Sequence, residues 1–331
     1  MFQVPRLVRF SYFLVFDITS LISTLLILTF LLFDRANRQA LYNHIIIVLL
    51  ILGFIYELTN ILFHLYNDYN GVPLSTSPSF YIFWVFLDYS LYSLQIALFA
   101  WASIERHILI FHDQWLSTAK KRLLLHYLPP TIIIVYYLIY YCMVYFGIPC
   151  DYSFDGYLHG GIYIPCAFDR TFLATWDLFV HQVFPTLIIV VFCIALLVRV
   201  MRQKARMHRA NRWRESRRMT VQLLSISLIY LLFNLPWVAV IFAYQCGLPA
   251  SVAIDGILFS KFVLYNVIFC FPYVTCVAMK QFRVKVMKLT CYRGRGRQVV
   301  PHNTISITAH GKSQRIRGRT RTNNLKLSHM R

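Results

Sequence analysis

Seven stretches of mostly apolar residues, each closed by charged or turn-forming residues, constrain this chain more than any other feature of its sequence. A helix needs about 20 such residues to cross roughly 30 Å of hydrocarbon. The runs cover residues 10–33, 41–66, 80–103, 123–146, 172–198, 221–244 and 252–279. They are continuous in Leu, Ile, Val and Phe, without the ten-residue alternation of a membrane barrel, so helices that satisfy their own backbone are expected. The expected fold is all-α and integral to a membrane: a seven-transmembrane helix bundle. A hydrophobic share of 58% against 14% charged residues agrees, being too apolar for a soluble domain of 331 residues.

Orientation follows from where the cations fall. With the N-terminus outside, the inner segments carry Arg35 and Arg38, then four basic residues from Arg106 to Arg122, nine from Arg199 to Arg218 and fourteen from Lys280 onward. The outer segments carry only Arg6, Arg9 and Arg170, and Lys261 lies inside the seventh run. The positive-inside rule therefore predicts an outer N-terminus and an inner C-terminus. The net charge of +20 is split among short loops suited to anionic lipid, which argues against nucleic acid as a partner. The first run has no small-residue cleavage site behind it and is expected to stay as a span.

Three regions are expected: a short extracellular segment at 1–9, the spanning domain at 10–290, and a basic tail at 291–331 too poor in large apolar residues to pack a core. Residues 280–288 alternate Phe282 and Val286 with Arg283, Lys285 and Lys288, the pattern of a short amphipathic helix along a membrane. Tail residues such as Thr304, Ser306 and Thr320 sit among arginines. Phosphorylation there would cancel positive charge, and an ordinary polar tail is the plainer alternative. The eight cysteines show no Cys-x-x-Cys and no zinc spacing, so neither a metal nor a cofactor is expected.

Ionisable residues inside apolar runs are costly, which makes each a functional candidate. Asp17, Asp177 and Asp255 are expected near span ends, reaching the interface. Glu57, a turn from Asn60, is expected to hydrogen-bond across helices. Asp88, Tyr92, Gln95 and Phe99 fall on one face of the third helix, a polar stripe that a ligand cavity would satisfy. Lys261 could reach that stripe; pairing with Asp88 and binding a ligand stand as equal alternatives.

The triplet Glu105-Arg106-His107 closes the third run, and prolines stand in the fifth, sixth and seventh at Pro185, Pro236 and Pro272. With seven helices and an outer N-terminus, these residues resemble the rhodopsin-like (class A) G-protein-coupled receptors. The resemblance covers about residues 10–291. It implies that Glu105, Arg106 and His107 form the coupling triplet, with Arg106 contacting a heterotrimeric G protein after the sixth helix moves outward, and that the prolines are levers in that movement. It also implies a plasma-membrane receptor for an extracellular ligand, with Asp88, Tyr92, Gln95, Lys261 and Tyr265 lining the outer-half cavity. Lys261 favours a peptide-like ligand, because a carboxylate would welcome a lysine that repels amines. Cys291 suits palmitoylation beyond the amphipathic helix.

The sequence departs from the family's pattern in several places. Gly53 stands where the family carries an Asp, which removes the usual sodium site, and Asn234 replaces its tryptophan two places before Pro236. Tyr81 replaces the cysteine at the top of the third helix, so the usual bridge cannot form. Cys150 and Cys166, both in the second outer segment, could instead close a local disulfide, or remain thiols. Tyr265 occupies the position of a retinal-binding lysine, which argues against an opsin. The rival reading is a transporter or channel, for which more charges at mid-membrane depth would be expected. A membrane enzyme ranks below both, since His44, His64, His126 and His181 are scattered along the sequence.

Overall fold

The computed structural model describes residues 4–72, 74–75, 77–148, 168, 170–204, 210–279 and 282–284. No strand occurs among them. Seven helices are long and apolar enough to cross a membrane: α1 (Arg6–Phe33), α2 (Leu41–Asn70), α3 (Pro78–Phe111), α4 (Ala119–Gly147), α5 (Thr171–Arg199), α6 (Leu224–Gln245) and α7 (Val252–Ala278). A short helix, Arg35–Gln39, joins α1 to α2 and is capped by the Asp34 carboxylate, which accepts from the Ala36 amide at 3.1 Å. Cys150, Cys166 and Cys291 lie outside the described residues, as does most of the stretch 280–288.

The helices bury their polar stripes and present leucine outward. On α1 the buried face is Phe13, Asp17, Ser20, Thr24, Ile27 and Leu31, whereas Leu14, Val15, Ile18, Ile22 and Leu26 are exposed. A water-soluble helix distributes these residues the opposite way. Exposed apolar surface on this scale is a surface for lipid or a partner. Each helix meets its neighbours in sequence, α4 and α5 doing so through Tyr136–His181 and Tyr141–Asp177; α7 returns to α1, and α3 touches α2, α4, α5 and α6. Of the most apolar window of α3, 67% is buried, against 11% for α4, which makes α3 the central post and α4 the outlier.

Two of the wide π turns have a cause visible in the sequence. His126 precedes Pro130 by four residues, and His181 precedes Pro185 by the same interval. A proline cannot donate to the carbonyl four residues back and its ring crowds that carbonyl, so the helix widens there. The π turns Leu123–Tyr127 in α4 and Asp177–Val183 in α5 contain these two histidines and turn both inward, where His126 is 3% and His181 0% exposed. Helix α6 runs through Pro236 without interruption, and α7 breaks at Tyr265, between Ala250–Leu264 and Asn266–Ala278.

Polar contacts between helices sit at several depths. At the end carrying the N-terminus, Arg9 on α1 pairs with Asp68 on α2 at 2.6 Å. Deeper, the Tyr141 hydroxyl of α4 lies 2.8 Å from both the Asp177 carboxylate of α5 and the Ser93 hydroxyl of α3. One hydroxyl has one proton, so Tyr141 donates to the carboxylate and accepts from Ser93. Tyr141→Phe is expected to lower stability by about 1–3 kcal/mol, because both partners then lose a buried bond. Thermal unfolding in detergent would read this as a lower midpoint with helicity retained; an unchanged midpoint would mean that water replaces the hydroxyl.

Candidate functional site

The stripe on α3 points into the middle of the helix ring, and its first member is already paired. Lys261 Nζ on α7 donates to Asp88 Oδ2 at 2.7 Å, and the Tyr56 hydroxyl of α2 donates to Asp88 Oδ1. The Lys261 ammonium also lies over the rings of Tyr89 at 5.0 Å, Trp237 at 5.2 Å and Tyr265 at 5.6 Å, where ring quadrupoles attract a cation. This centre joins α2, α3, α6 and α7. The break in α7 falls one turn beyond Lys261, at Tyr265, whose hydroxyl lies 2.8 Å from His64 Nε2. Of the two alternatives the sequence left for Asp88, the structure has the internal pair.

Further along α3 the stripe is used differently. Tyr92 donates to Asn234 Oδ1 at 2.5 Å, and Asn234 Nδ2 donates to Thr186 Oγ1 at 3.1 Å, linking α3, α6 and α5. Asn234 is completely buried and is a hydrogen-bond junction. Gln95 and Phe99 border an apolar recess together with Gly53, Tyr230, Val267 and Phe271. That recess begins two turns from Asp88, and neither Asp88 nor Lys261 lines it. A Cβ on Gly53 would approach Gln95 Nε2 at 3.5 Å, ordinary contact, so Gln95 lies against this side of α2.

At the far end of α3 the triplet separates into three partnerships. Glu105 Oε1 bonds His126 Nδ1 of α4; His126 Nε2 lies 2.9 Å from His44 Nδ1 of α2, and His44 Nε2 lies 2.9 Å from the Arg38 carbonyl. Arg106 Nη2 donates to the Tyr42 carbonyl, with its guanidinium 5.3 Å from the centre of the Tyr42 ring. His107 Nε2 lies 2.8 Å from Arg199 Nη1 of α5, whose guanidinium covers the Phe111 ring at 4.4 Å. Arg106 is 3% exposed, so in this arrangement the α2 end covers it.

Several expectations are corrected. Asp17 and Asp177 do not reach an interface; they are 2% and 8% exposed. Asp177 Oδ1 instead accepts from Tyr141 and pairs with His181 Nδ1 at 2.9 Å, and His181 is enclosed by the rings of Tyr136, Tyr137, Tyr140 and Tyr141. Of the four histidines only His44 and His126 meet; His64 pairs with Tyr265 and His181 with Asp177 and Tyr136, so they occupy three separate places. Glu57 does bond across helices, accepting from Ser20 on α1. Asn60, a turn away and completely buried, has no partner for either amide atom among the described residues. The histidine spacing before Pro130 and Pro185 was the available signal for two of these contacts; nothing local relates His44 to Glu105.

Neither a scan against protein-family models nor a search of curated proteins returns a match for this chain. The class these residues define is an all-helical protein with seven membrane-length helices and a partly buried charge pair between α3 and α7.

Lys261→Met would leave the Asp88 carboxylate without its ammonium, and breaking such a buried pair costs about 3–5 kcal/mol. The double variant Asp88→Asn/Lys261→Met, with no charge left to bury, is expected to unfold at a higher temperature than Lys261→Met alone. Equal midpoints for the two would mean that the pair is not coupled.

Proposed function

We propose that this chain is a divergent rhodopsin-like G-protein-coupled receptor of the plasma membrane, a seven-transmembrane bundle with its N-terminus outside and its basic tail in the cytoplasm. The observation that carries the reading is that α3 holds a partly buried charge pair toward one end and Glu105-Arg106-His107 at the other. Asp88 and Arg106 are eighteen residues apart, about 27 Å at 1.5 Å per residue. The end bearing Arg106 also bears the exposed cations Arg35, Arg38, Lys120, Lys121 and Arg122, as an inner face would.

In this reading a ligand carboxylate displaces Asp88 from Lys261, which favours a peptide-like ligand. The exchange is inexpensive because Tyr56 can keep its bond to Asp88 while the aromatic rings keep theirs to the ammonium. Lys261 touches both α3 and Trp237 of α6, so a new partner for it alters how α6 and α7 pack on α3. That preference for a second packing shifts the population toward one in which Arg106 leaves the Tyr42 carbonyl and meets the G protein. Pro185, Pro236 and Pro272, each without a backbone donor, are the places where the helices can pivot.

A transporter or channel is the second reading, favoured by Asp17 and Glu57, two buried acids on facing helices.

Guanine-nucleotide exchange on a panel of Gα subunits, in membranes carrying the wild-type chain or Arg106→Ala, distinguishes the two. Basal or peptide-stimulated exchange is expected from the wild type and at least about tenfold less from Arg106→Ala. Exchange by neither chain at full surface expression, together with solute flux, would replace the receptor reading with the second one. An epitope at the N-terminus is expected to bind antibody on intact cells, and one at the C-terminus only after permeabilisation.

A further inference from the structure

Five exposed cations stand at the end of the helix ring that bears Arg106, on two segments far apart in the chain. Arg35 and Arg38 lie on the short helix after α1, and Lys120, Lys121 and Arg122 belong to the first turn of α4. None of the five takes part in an ion pair among the described residues, and Arg38 makes one hydrogen bond, to the Leu32 carbonyl at 3.4 Å. The acids nearby in sequence are Asp34 and Asp113. The Asp34 carboxylate caps the short helix, accepting from the Ala36 amide at 3.1 Å. A cluster of one sign with so little internal compensation attracts anions from outside the chain.

Both segments are held in place, and they adjoin. In the short helix Asn37 is buried and its carbonyl accepts from Asn43 Nδ2 at 2.9 Å, while Arg35 and Arg38 are turned outward. Thr118 caps the start of α4, its hydroxyl accepting from the Lys121 amide at 3.4 Å. His44 of α2 joins the two segments: its Nε2 lies 2.9 Å from the Arg38 carbonyl and its Nδ1 2.9 Å from His126 Nε2. His126 follows Arg122 by four residues, about one helical turn. The arginines of the short helix and the first turn of α4 therefore border one patch. Directly beyond it the surface is apolar, with Phe33 at the end of α1 and Leu123, Leu124 and Leu128 on α4 all exposed. A soluble polyanion would meet only the cations. A phospholipid meets both zones, its headgroup on the cations and its acyl chains on the exposed apolar side chains.

We propose that Arg35, Arg38, Lys120, Lys121 and Arg122 form a binding site for a phospholipid whose headgroup carries more than one phosphate. Two separate segments supply the cations, so a headgroup reaches both when its charge is spread over separate phosphates. The guanidinium forks take phosphate oxygens in pairs, and the lysines act as point charges. Bound there, the headgroup ties the link between α1 and α2 to the start of α4. It sits beside the segment whose Tyr42 carbonyl receives Arg106. The site stands for a receptor and for a transporter alike, because it does not depend on what the outer half of the bundle binds.

The test uses the purified full chain in lipid nanodiscs, where both faces of the bilayer are accessible, so the outcome depends neither on orientation in a cell nor on signalling. The discs contain phosphatidylcholine with either phosphatidylinositol bisphosphate or enough phosphatidylserine to match its charge, and native mass spectrometry reads the lipid retained. The wild type is expected to retain the bisphosphate at least about tenfold more tightly than phosphatidylserine. Arg35→Gln/Arg38→Gln and Lys120→Gln/Lys121→Gln/Arg122→Gln are each expected to weaken that retention at least about tenfold, since one cation near a charged surface is worth roughly a factor of five. Arg317→Gln/Arg319→Gln, which removes two cations from the tail, is expected to change it less than about twofold. Equal losses from the tail pair and from the two patch variants would mean diffuse attraction and overturn the site. Equal retention of phosphatidylserine would overturn the headgroup, and equally tight binding of soluble inositol trisphosphate would overturn the lipid. All five side chains are exposed and without ion pairs, so the variants are expected to keep the wild-type unfolding midpoint in discs of phosphatidylcholine alone.

Discussion

An ammonium in an apolar surrounding must be paired, and the position of Lys261 follows from that necessity. Its partner Asp88 stands on the most buried helix, its aromatic neighbours come from α3, α6 and α7, and Tyr56 of α2 holds the second carboxylate oxygen. Four of the seven helices are thus fixed relative to one another by one charge. Leucine and isoleucine cannot do this, because against lipid they gain nearly as much facing outward as inward. The apolar residues set which segments become helices, and the few polar ones set how those helices are ordered and rotated.

The same division repeats at other depths. Asn234 joins Tyr92 to Thr186, Tyr141 joins Ser93 to Asp177, and His126 joins Glu105 to His44. Each junction holds three groups from three helices, so α3 cannot move away from α2, α4, α5 or α6 without breaking one. Prolines 130 and 185 contribute by what they remove. The carbonyl four residues earlier loses its donor, the helix widens, and the histidine there is turned toward an acid it would otherwise pass. The break in α7 at Tyr265 falls one turn from Lys261, beside the central charge.

Much of this was legible in the sequence, and what was not has a common reason. The spans expected at 41–66 and 252–279 end within a few residues of α2 and α7, since a run of apolar residues ends where charge begins. The stripe Asp88, Tyr92, Gln95, Phe99 was also legible, because helical period is local, whereas its pairing with Lys261 was one of two open alternatives. The burial of Asp17 and Asp177 was not, because whether an acid near a span end reaches water depends on which helix stands beside it. The histidine partnerships were hidden for the same reason: 82 positions separate His44 from His126.

The sequence by itself determined an all-helical chain with seven membrane-length segments, the clustering of cations in particular loops, and the polar face of the third helix, all from composition and period. Only the tertiary structure decided that Asp88 spends its charge on Lys261, that Glu105 turns away from Arg106 toward His126, and that Arg106 rests on the Tyr42 carbonyl. Those choices depend on hydrogen-bond directions and separations of under 3 Å between residues far apart in the chain. A linear pattern records which groups need a partner; the packed helices determine which partner is within reach.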